Sequence, residues 1–417
     1  MTRERINMAA GGDRKRTPAE YDRVLLVVTL LLLGLGLLMV FSSSAILAGY
    51  RFGNPWYYFR RQAASAVIGL GLMAIAARVP YRAYRYLAYP ILGGSALLLL
   101  LVLVPGVGGA MGGGATRWLV IGPIRFQPSE LAKISLVIYL AYSLDKKQAN
   151  IKSFSIGILP HLIIAGIVLA LIMLEPDYGT TVTLGAILFM MMFLAGVNLK
   201  HLFYLLGAAI PIFYLLMRTA EYRVRRLTAF LDPWQDPAAG GFQIIQSWIA
   251  FHSGGWFGQG LGAGQQKLFY LPEAHTDFAF SVLGEELGLI GVLVTLALYL
   301  TLILRGIRIA RSAADLFGCL LGLGLIGGIG LQTIINIGVV LGMLPTKGLV
   351  LPFISYGGTS LMVTMTAIGI LLNIGASRKR LRRRVTDPAW QRVEGRRQVL
   401  GPLPGFAAVV PRARRTL

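Results

Sequence analysis

The recurrence of apolar segments long enough to cross a bilayer constrains this chain more than any other feature. Ten such segments fall near residues 24–46, 62–78, 86–104, 127–144, 154–174, 179–197, 199–217, 281–304, 315–340 and 359–376. A hydrocarbon core of about 30 Å is crossed by roughly 20 apolar residues of helix, and in lipid the backbone must satisfy its own polar groups. Composition agrees: 14% of the 417 residues are charged, where a soluble domain carries about a quarter. The expected fold is all-α and polytopic, with ten transmembrane helices and a large extracytoplasmic loop between spans seven and eight.

The net charge of +22 would suit nucleic acid, but its placement argues otherwise. Basic residues crowd the tails, 1–23 and 377–417, where they act as topology signals and as contacts to anionic lipid. No nucleic-acid partner is expected. With an even number of spans both termini share a side. The loops on that side carry Arg78, Arg82, Arg85, Lys146, Lys147, Lys152, Lys200, Arg305, Arg308 and Arg311, more than the opposite loops do. The positive-inside rule then makes both termini cytoplasmic. The chain divides into a basic N-terminal tail (1–23), a membrane domain (24–376) with its outer loop at 218–280, and a basic C-terminal tail (377–417). No cleavable signal pattern precedes the first span, which is expected to remain as an anchor.

The outer loop has structure of its own. Phe242, Ile244, Ile245, Trp248, Ile249 and Phe251 recur at helical spacing, which predicts an amphipathic helix at the membrane surface or on the bundle. A second outer segment, Leu344 to Gly358, is broken by Pro345, Pro352 and paired glycines. It reads as a re-entrant or unwound piece that must be buried in protein or line a wet cavity.

Ionisable residues near a bilayer mark function or a helix end that water reaches. They gather in QQKLFYLPEAHTDFAFSVLGEELG, from Gln265 to Gly288. Asp277, at the start of span eight, feels a helix N-terminus that favours the carboxylate and burial that favours the acid. In that balance it can serve as a general base on a sugar hydroxyl. A structural role in the first helical turn fits the local sequence no less well. Glu273 and His275 accompany it. Glu285 and Glu286, two turns deeper, read as structural carboxylates that bond neighbouring helices or hold a loop.

Three further groups stand out. Pro128, Ser129 and Glu130 open a helix with Lys133 one turn on, either an i,i+3 pair or part of a polar cavity. Glu175 and Asp177 lie in the tight LEPDYGTT connection, where Pro176 and Gly179 favour a structural reading. The loop cations Arg218, Arg223, Arg225, Arg226 and Lys267, with Lys347, suit pyrophosphate, anionic headgroups or a solvated face.

Other chemistries find little support. Cys319 is alone, which excludes an intramolecular disulfide. His161, His201, His252 and His275 are scattered without HExxH spacing, so no protein-built metal site is expected. A divalent cation, Mg or Mn, carried on a pyrophosphate substrate would leave no signature and stays open. Neither a P-loop nor a Rossmann fingerprint occurs. Gly324 and Gly328 have the spacing of close helix packing.

The motifs PSELAK, EPDYGTT, FLDPWQDP, QKLFYLPEAHTDF, GEELGLIG and LPTKGLVLPFISYGGTS occur in that order. Together they resemble the SEDS family of peptidoglycan polymerases, and most of all its cell-division branch; a sporulation-type relative stays open. The resemblance implies polymerisation of lipid II into a β-1,4 glycan strand at the outer face of the cytoplasmic membrane, at the division septum, with release of undecaprenyl pyrophosphate. It implies Asp277 as the essential carboxylate, with Glu130, Lys133 and Lys347 as cavity residues. Arg223, Arg225, Arg226 and Lys267 are weaker candidates for lipid phosphates. Glu175, Asp177, Glu273, His275 and Glu285 are expected as structural or supporting polar residues. It also implies a class B penicillin-binding protein as transpeptidase partner, alongside other divisome membrane proteins. Phe242 and His252 depart from the family pattern. The competing readings are a lipid II flippase, against which the absence of an inverted repeat counts, and a scaffold that only recruits the transpeptidase.

Overall fold

In the computed structural model, the described residues are 21–110, 116–122, 124–218, 221–238 and 240–386. The predicted tails lie largely outside them. Twelve α-helices are found among the described residues: α1 (Arg23–Phe52), α2 (Tyr57–Arg78), α3 (Ala83–Val102), α4 (Pro128–Lys146), α5 (Leu159–Leu174), α6 (Tyr178–Leu194), α7 (Leu199–Arg218), α8 (Glu221–Leu231), α9 (Phe242–Gly254), α10 (Ala279–Arg311), α11 (Leu316–Val340) and α12 (Gly358–Thr386). A helix coincides with each of the ten predicted segments. Among the described residues six helices are long and apolar enough to cross a membrane: α1, α3, Phe154–Leu174 (α5 with the π turn before it), α10, α11 and α12 up to Ser377. The chain is a multi-pass membrane protein.

Helix ends follow local chemistry. Asp22, Asp177 and Asp315 cap α1, α6 and α11, each accepting from a backbone N–H three residues on. Pro128 occupies the first turn of α4 with Glu130 beside it, where a missing N–H costs nothing and a carboxylate meets the positive end of the helix.

Tyr21–Gly375 form one compact body. At its centre is α4, buried on nearly every side from Pro128 to Leu144 and packed by α3, α6 and α11. From Ile134 to Leu144 it is apolar on nearly every face, as a helix in such a position should be, and the charges of its first turns, Glu130 and Lys133, pair with each other. Small residues let helices approach: a Cβ on Gly324 would sit 2.7 Å from Val137 Cγ1, and one on Gly328 3.3 Å from Ile187 Cδ1.

The all-α expectation needs one correction. A three-stranded antiparallel sheet, β1 (Gly108–Ala110), β2 (Thr116–Ile121) and β3 (Ile124–Phe126), connects α3 to α4. Leu119 of β2 pairs with Gly108 on one side and Phe126 on the other. β-branched and aromatic residues flanked by glycine-rich sequence favour strands over helix here.

Both irregular predictions take definite form. Helix α9 lies against α10, with Ser247 Oγ 2.8 Å from Ser281 Oγ and Trp248 Nε1 donating to the Leu341 carbonyl at 3.0 Å. The segment before α12 is unwound and buried: Leu349, Leu351, Phe353, Ile354 and Ser355 are all inaccessible. Its carbonyls accept from side chains of surrounding helices: Asn336 to Leu349 at 2.5 Å, Gln332 to Val350 at 2.8 Å, Gln62 to Ser355 at 3.3 Å, and the Tyr299 hydroxyl to Pro352. Non-helical backbone at depth survives only when its polar groups are met in this way.

Candidate functional site

Asp277 sits in the connection just before α10, and the cap position of that helix is Phe278, without a side-chain cap bond. The expectation of a carboxylate in the first helical turn is thus off by one step. Among the described residues no hydrogen bond or ion pair engages the Asp277 side chain, which is half-buried. A carboxylate not consumed in capping is available for chemistry.

Its surroundings raise its proton affinity. Burial pushes the Asp277 carboxyl up to about 7, with Glu273 and Asp177 adding to the rise and Arg226 and Arg117 opposing it. Five charged groups from four stretches of chain therefore sense one another. The backbone here is fixed from two sides. The Asp277 carbonyl accepts from Asn336 Nδ2 at 3.0 Å, and the His275 carbonyl accepts from the Tyr356 N–H at 2.9 Å.

The sheet and the α5–α6 connection supply the next side. Arg117 on β2 donates through Nε to the Glu175 carbonyl at 3.2 Å, and through Nη2 to that of Pro176. Asp177 accepts from Thr180 Oγ1 at 2.7 Å and from Ser129 Oγ and Gln127 Nε2 at 3.5 Å. The Glu175 carboxyl is fully buried with neither oxygen partnered. Burial pushes it up to about 8, with Asp177 assisting and Arg117 opposing, so at neutral pH it holds its proton.

Glu130 and Lys133 form a buried pair at 2.8 Å on α4. Lys133 Nζ also donates to Gln332 Oε1 at 2.8 Å, and Gln332 passes the link on to Val350. Lys347 is half-buried in the unwound segment, where burial lowers its ammonium's proton affinity. Its neighbour Gly348 lies against the carboxylate: a Cβ there would be 3.5 Å from Asp277 Oδ2. Arg226 on α8 is exposed and donates to the Thr346 carbonyl at 3.4 Å. The side chains of Arg218, Arg223 and Arg225 lie outside the described residues.

Three residues of the run from Gln265 to Gly288, Lys267, Glu285 and Glu286, are engaged elsewhere than at the candidate carboxylate. Lys267, expected as a loop cation facing substrate, is buried and paired with Glu286 at 2.6 Å. Glu285 accepts from the Gln265 N–H at 2.8 Å and that of Gln266 at 3.2 Å, holding the loop. Glu273 is exposed and accepts from Thr276 Oγ1 at 2.7 Å. The His275 ring packs on Tyr58, centroids 4.7 Å apart, and burial disfavours its charged form. Among the described residues no three His, Cys, Asp or Glu side chains group as a metal site needs.

Arg117, Gln332 and Asn336 were not among the expected site residues. Gln332 and Asn336 stand one helical turn apart in a largely apolar helix, a polar pairing that marks them. Arg117 carries no such signal, because only the sheet brings it to the site.

Fold and site together define a polytopic membrane protein with a half-buried carboxylate that lies against unwound backbone and feels Arg117 and Arg226 as well as Glu273 and Asp177. The chain belongs to the FtsW/RodA/SpoVE family of cell cycle proteins, whose profile matches residues 22–380. It is 50% identical over 359 residues to the probable peptidoglycan glycosyltransferase FtsW of Geobacter sulfurreducens (strain DL-1 / KN400), across 86% of this chain and 96% of that one. Stage V sporulation protein E of Bacillus subtilis is 43% identical over 353 residues, 85% of this chain and 96% of that relative. Among solved structures, a chain from a peptidoglycan synthase complex that coordinates polymerization and crosslinking superposes with a TM-score of 0.71 at 32% identity, over 86% of this chain and 98% of that chain. The rod shape determining protein RodA of Thermus thermophilus gives 0.63 at 31%, over 86% and 97%.

Proposed function

We propose that this protein is a peptidoglycan glycosyltransferase that polymerises lipid II into β-1,4 glycan at the outer face of the cytoplasmic membrane during septal synthesis. The observation that carries the reading is the half-buried carboxylate of Asp277, engaged by no hydrogen bond or ion pair among the described residues and raised by burial to about 7. A base poised near the working pH is suited to taking a proton from a hydroxyl. Asp277 would deprotonate the acceptor 4-hydroxyl, whose oxygen bonds to the donor's anomeric carbon as the bond to pyrophosphate breaks. Undecaprenyl pyrophosphate leaves with the electron pair.

The developing negative charge needs cations. In this reading Lys347 and Arg226 supply that charge, and Arg223 and Arg225 join them as candidates for lipid phosphates. Lys133 is already neutralised by Glu130. Its part is to fix Gln332, and through it the carbonyl of Val350. A divalent cation, Mg or Mn, belongs in this reading to the pyrophosphate.

The same reading holds ten spans, both termini cytoplasmic, and residues 218–280 outside. Helices α2, α4, α6 and α7 join the six apolar ones. Helix α4 needs little lipid-facing apolarity because the bundle surrounds it. A class B penicillin-binding protein serves as transpeptidase among other divisome proteins, in keeping with the synthase complex to which the fold is similar.

The test is glycan synthesis from lipid II by the protein with its penicillin-binding partner, read as ladders on a gel, against Asp277→Asn. Polymer from wild type and none from the folded variant is expected. Equal polymer from both removes Asp277 from the chemistry. Failure of both, with a known polymerase active on the same substrate, turns the question to lipid II translocation in liposomes.

A further inference from the structure

Lys267, Glu286 and Ser42 make a charged cluster inside the bundle that the proposed chemistry does not use. Lys267 Nζ lies 2.6 Å from Glu286 Oε1, and both side chains are almost inaccessible, at 2% and 0%. Ser42 of α1 donates to Glu286 at 2.7 Å and accepts from Lys267 at 3.2 Å. Three parts of the chain, α1, the outer loop and α10, meet at one ion pair.

Around it the loop is stitched into a break in α10. Gly288 has φ 65° and ψ −168° inside that helix, which frees backbone groups on either side. The Glu285 and Glu286 carbonyls accept from the Gln259 and Gly260 N–H groups at 3.0 Å. The Leu289 N–H donates to Gly255 at 2.9 Å and that of Ile290 to Trp256 at 3.2 Å. The stretch that runs from Lys267 to Asp277 is thus anchored at its start on the broken helix and at its end by Asn336. Between the anchors, Phe269 and Glu273 hold φ of 68° and 56°. Non-glycine residues keep such values only where their surroundings impose them.

We infer that Lys267, Glu286 and Ser42 are positioning residues: a buried clamp that holds the loop carrying Asp277 in place for the reaction. This rests on the reading of Asp277 as the base. The ion pair costs desolvation that apolar side chains would avoid, and its return is a fixed loop. If the clamp is released, Phe269 and Glu273 relax and the carboxylate moves with them.

The test uses the full chain in nanodiscs with its penicillin-binding partner. Lys267→Met combined with Glu286→Leu removes both charges together, so neither is left unpaired and the thermal midpoint should hold. Expected are faster amide exchange across 268–278, a tenfold or greater fall in kcat for lipid II polymerisation, and KM within about twofold. Unchanged exchange overturns the clamp whatever the activity. Faster exchange with unchanged kcat overturns its role in positioning. Should the double variant not fold, Ser42→Ala is expected to lower kcat a few-fold at an unchanged midpoint, and the charge-exchanged pair Lys267→Glu with Glu286→Lys to recover activity over Lys267→Glu alone. No loss in Ser42→Ala and no recovery in the exchanged pair overturn the proposal. Exchange reports on the loop independently of chemistry, so a clamp that stands while Asp277→Asn still polymerises separates a failed base from a failed clamp.

Discussion

Asn336 holds the main chain at Asp277: its Nδ2 donates to the Asp277 carbonyl at 3.0 Å and to that of Leu349 at 2.5 Å. One side chain in α11 thereby joins the acidic connection to the unwound segment that carries Lys347 and Gly348. Replacing it with leucine leaves two carbonyls without their donor, at about 1–3 kcal/mol for each that stays buried. Asn336→Leu should lower the thermal midpoint and reduce glycan synthesis tenfold or more. Wild-type activity in a folded variant would show that the tether does not matter.

The protonation of Asp277 predicts a pH profile. A base must be deprotonated to act, and burial places this carboxyl at about 7. Polymerisation should therefore climb with pH through neutrality, with an acid limb of unit slope in log kcat/KM. Arg226 opposes the rise, so Arg226→Gln should carry that limb to higher pH. A limb that stays put in the variant would mean that another group sets it.

Glu175 gives the opposite kind of dependence, in stability rather than rate. Its carboxyl is raised from 4.5 to about 8 by burial, so the native state keeps a proton that the unfolded chain releases. Wild-type stability must then fall as pH rises from about 4.5 to about 8. Glu175→Gln removes the group that ionises. The variant should match wild type near the acid end of that window and melt higher above it, as differential scanning across pH would read. A constant offset at every pH would refute the linkage.

The break in α10 depends on a residue without a Cβ. Gly288 takes a left-handed φ, and a side chain there would run into the backbone of Trp256, Phe257 and Gly258. At φ 65° and ψ −168° an alanine is strained by roughly 1–3 kcal/mol before that collision is counted. Gly288→Ala should lower the thermal midpoint and expose the loop around Gly255 to protease. Unchanged proteolysis would mean that loop and helix part without consequence.

The sequence was most legible where one residue's neighbours decide its environment. Apolar runs gave helices at all ten predicted segments. Proline and glycine gave the unwound stretch before α12, and helical spacing gave α9. The i,i+3 spacing of Glu130 and Lys133 put them on one face of α4, where they pair at 2.8 Å. Each is a short-range consequence of backbone geometry and hydrophobicity. Asp277 stood out because it is a carboxylate beside an apolar segment, and resemblance to a family singled it out further.

What the tertiary structure alone decided is which charges are spent. Lys267 and Lys347 look alike in sequence, yet one is buried against Glu286 and the other stands half-buried next to Gly348. Glu175 and Asp177 sit two residues apart, yet only Asp177 finds donors. Arg117 reaches the site because a small sheet turns it there. A charge near a bilayer is set by its desolvation and by partners hundreds of residues away, as Ser42 is to Glu286. Local sequence holds the chemistry of each group; only the packed bundle determines its surroundings.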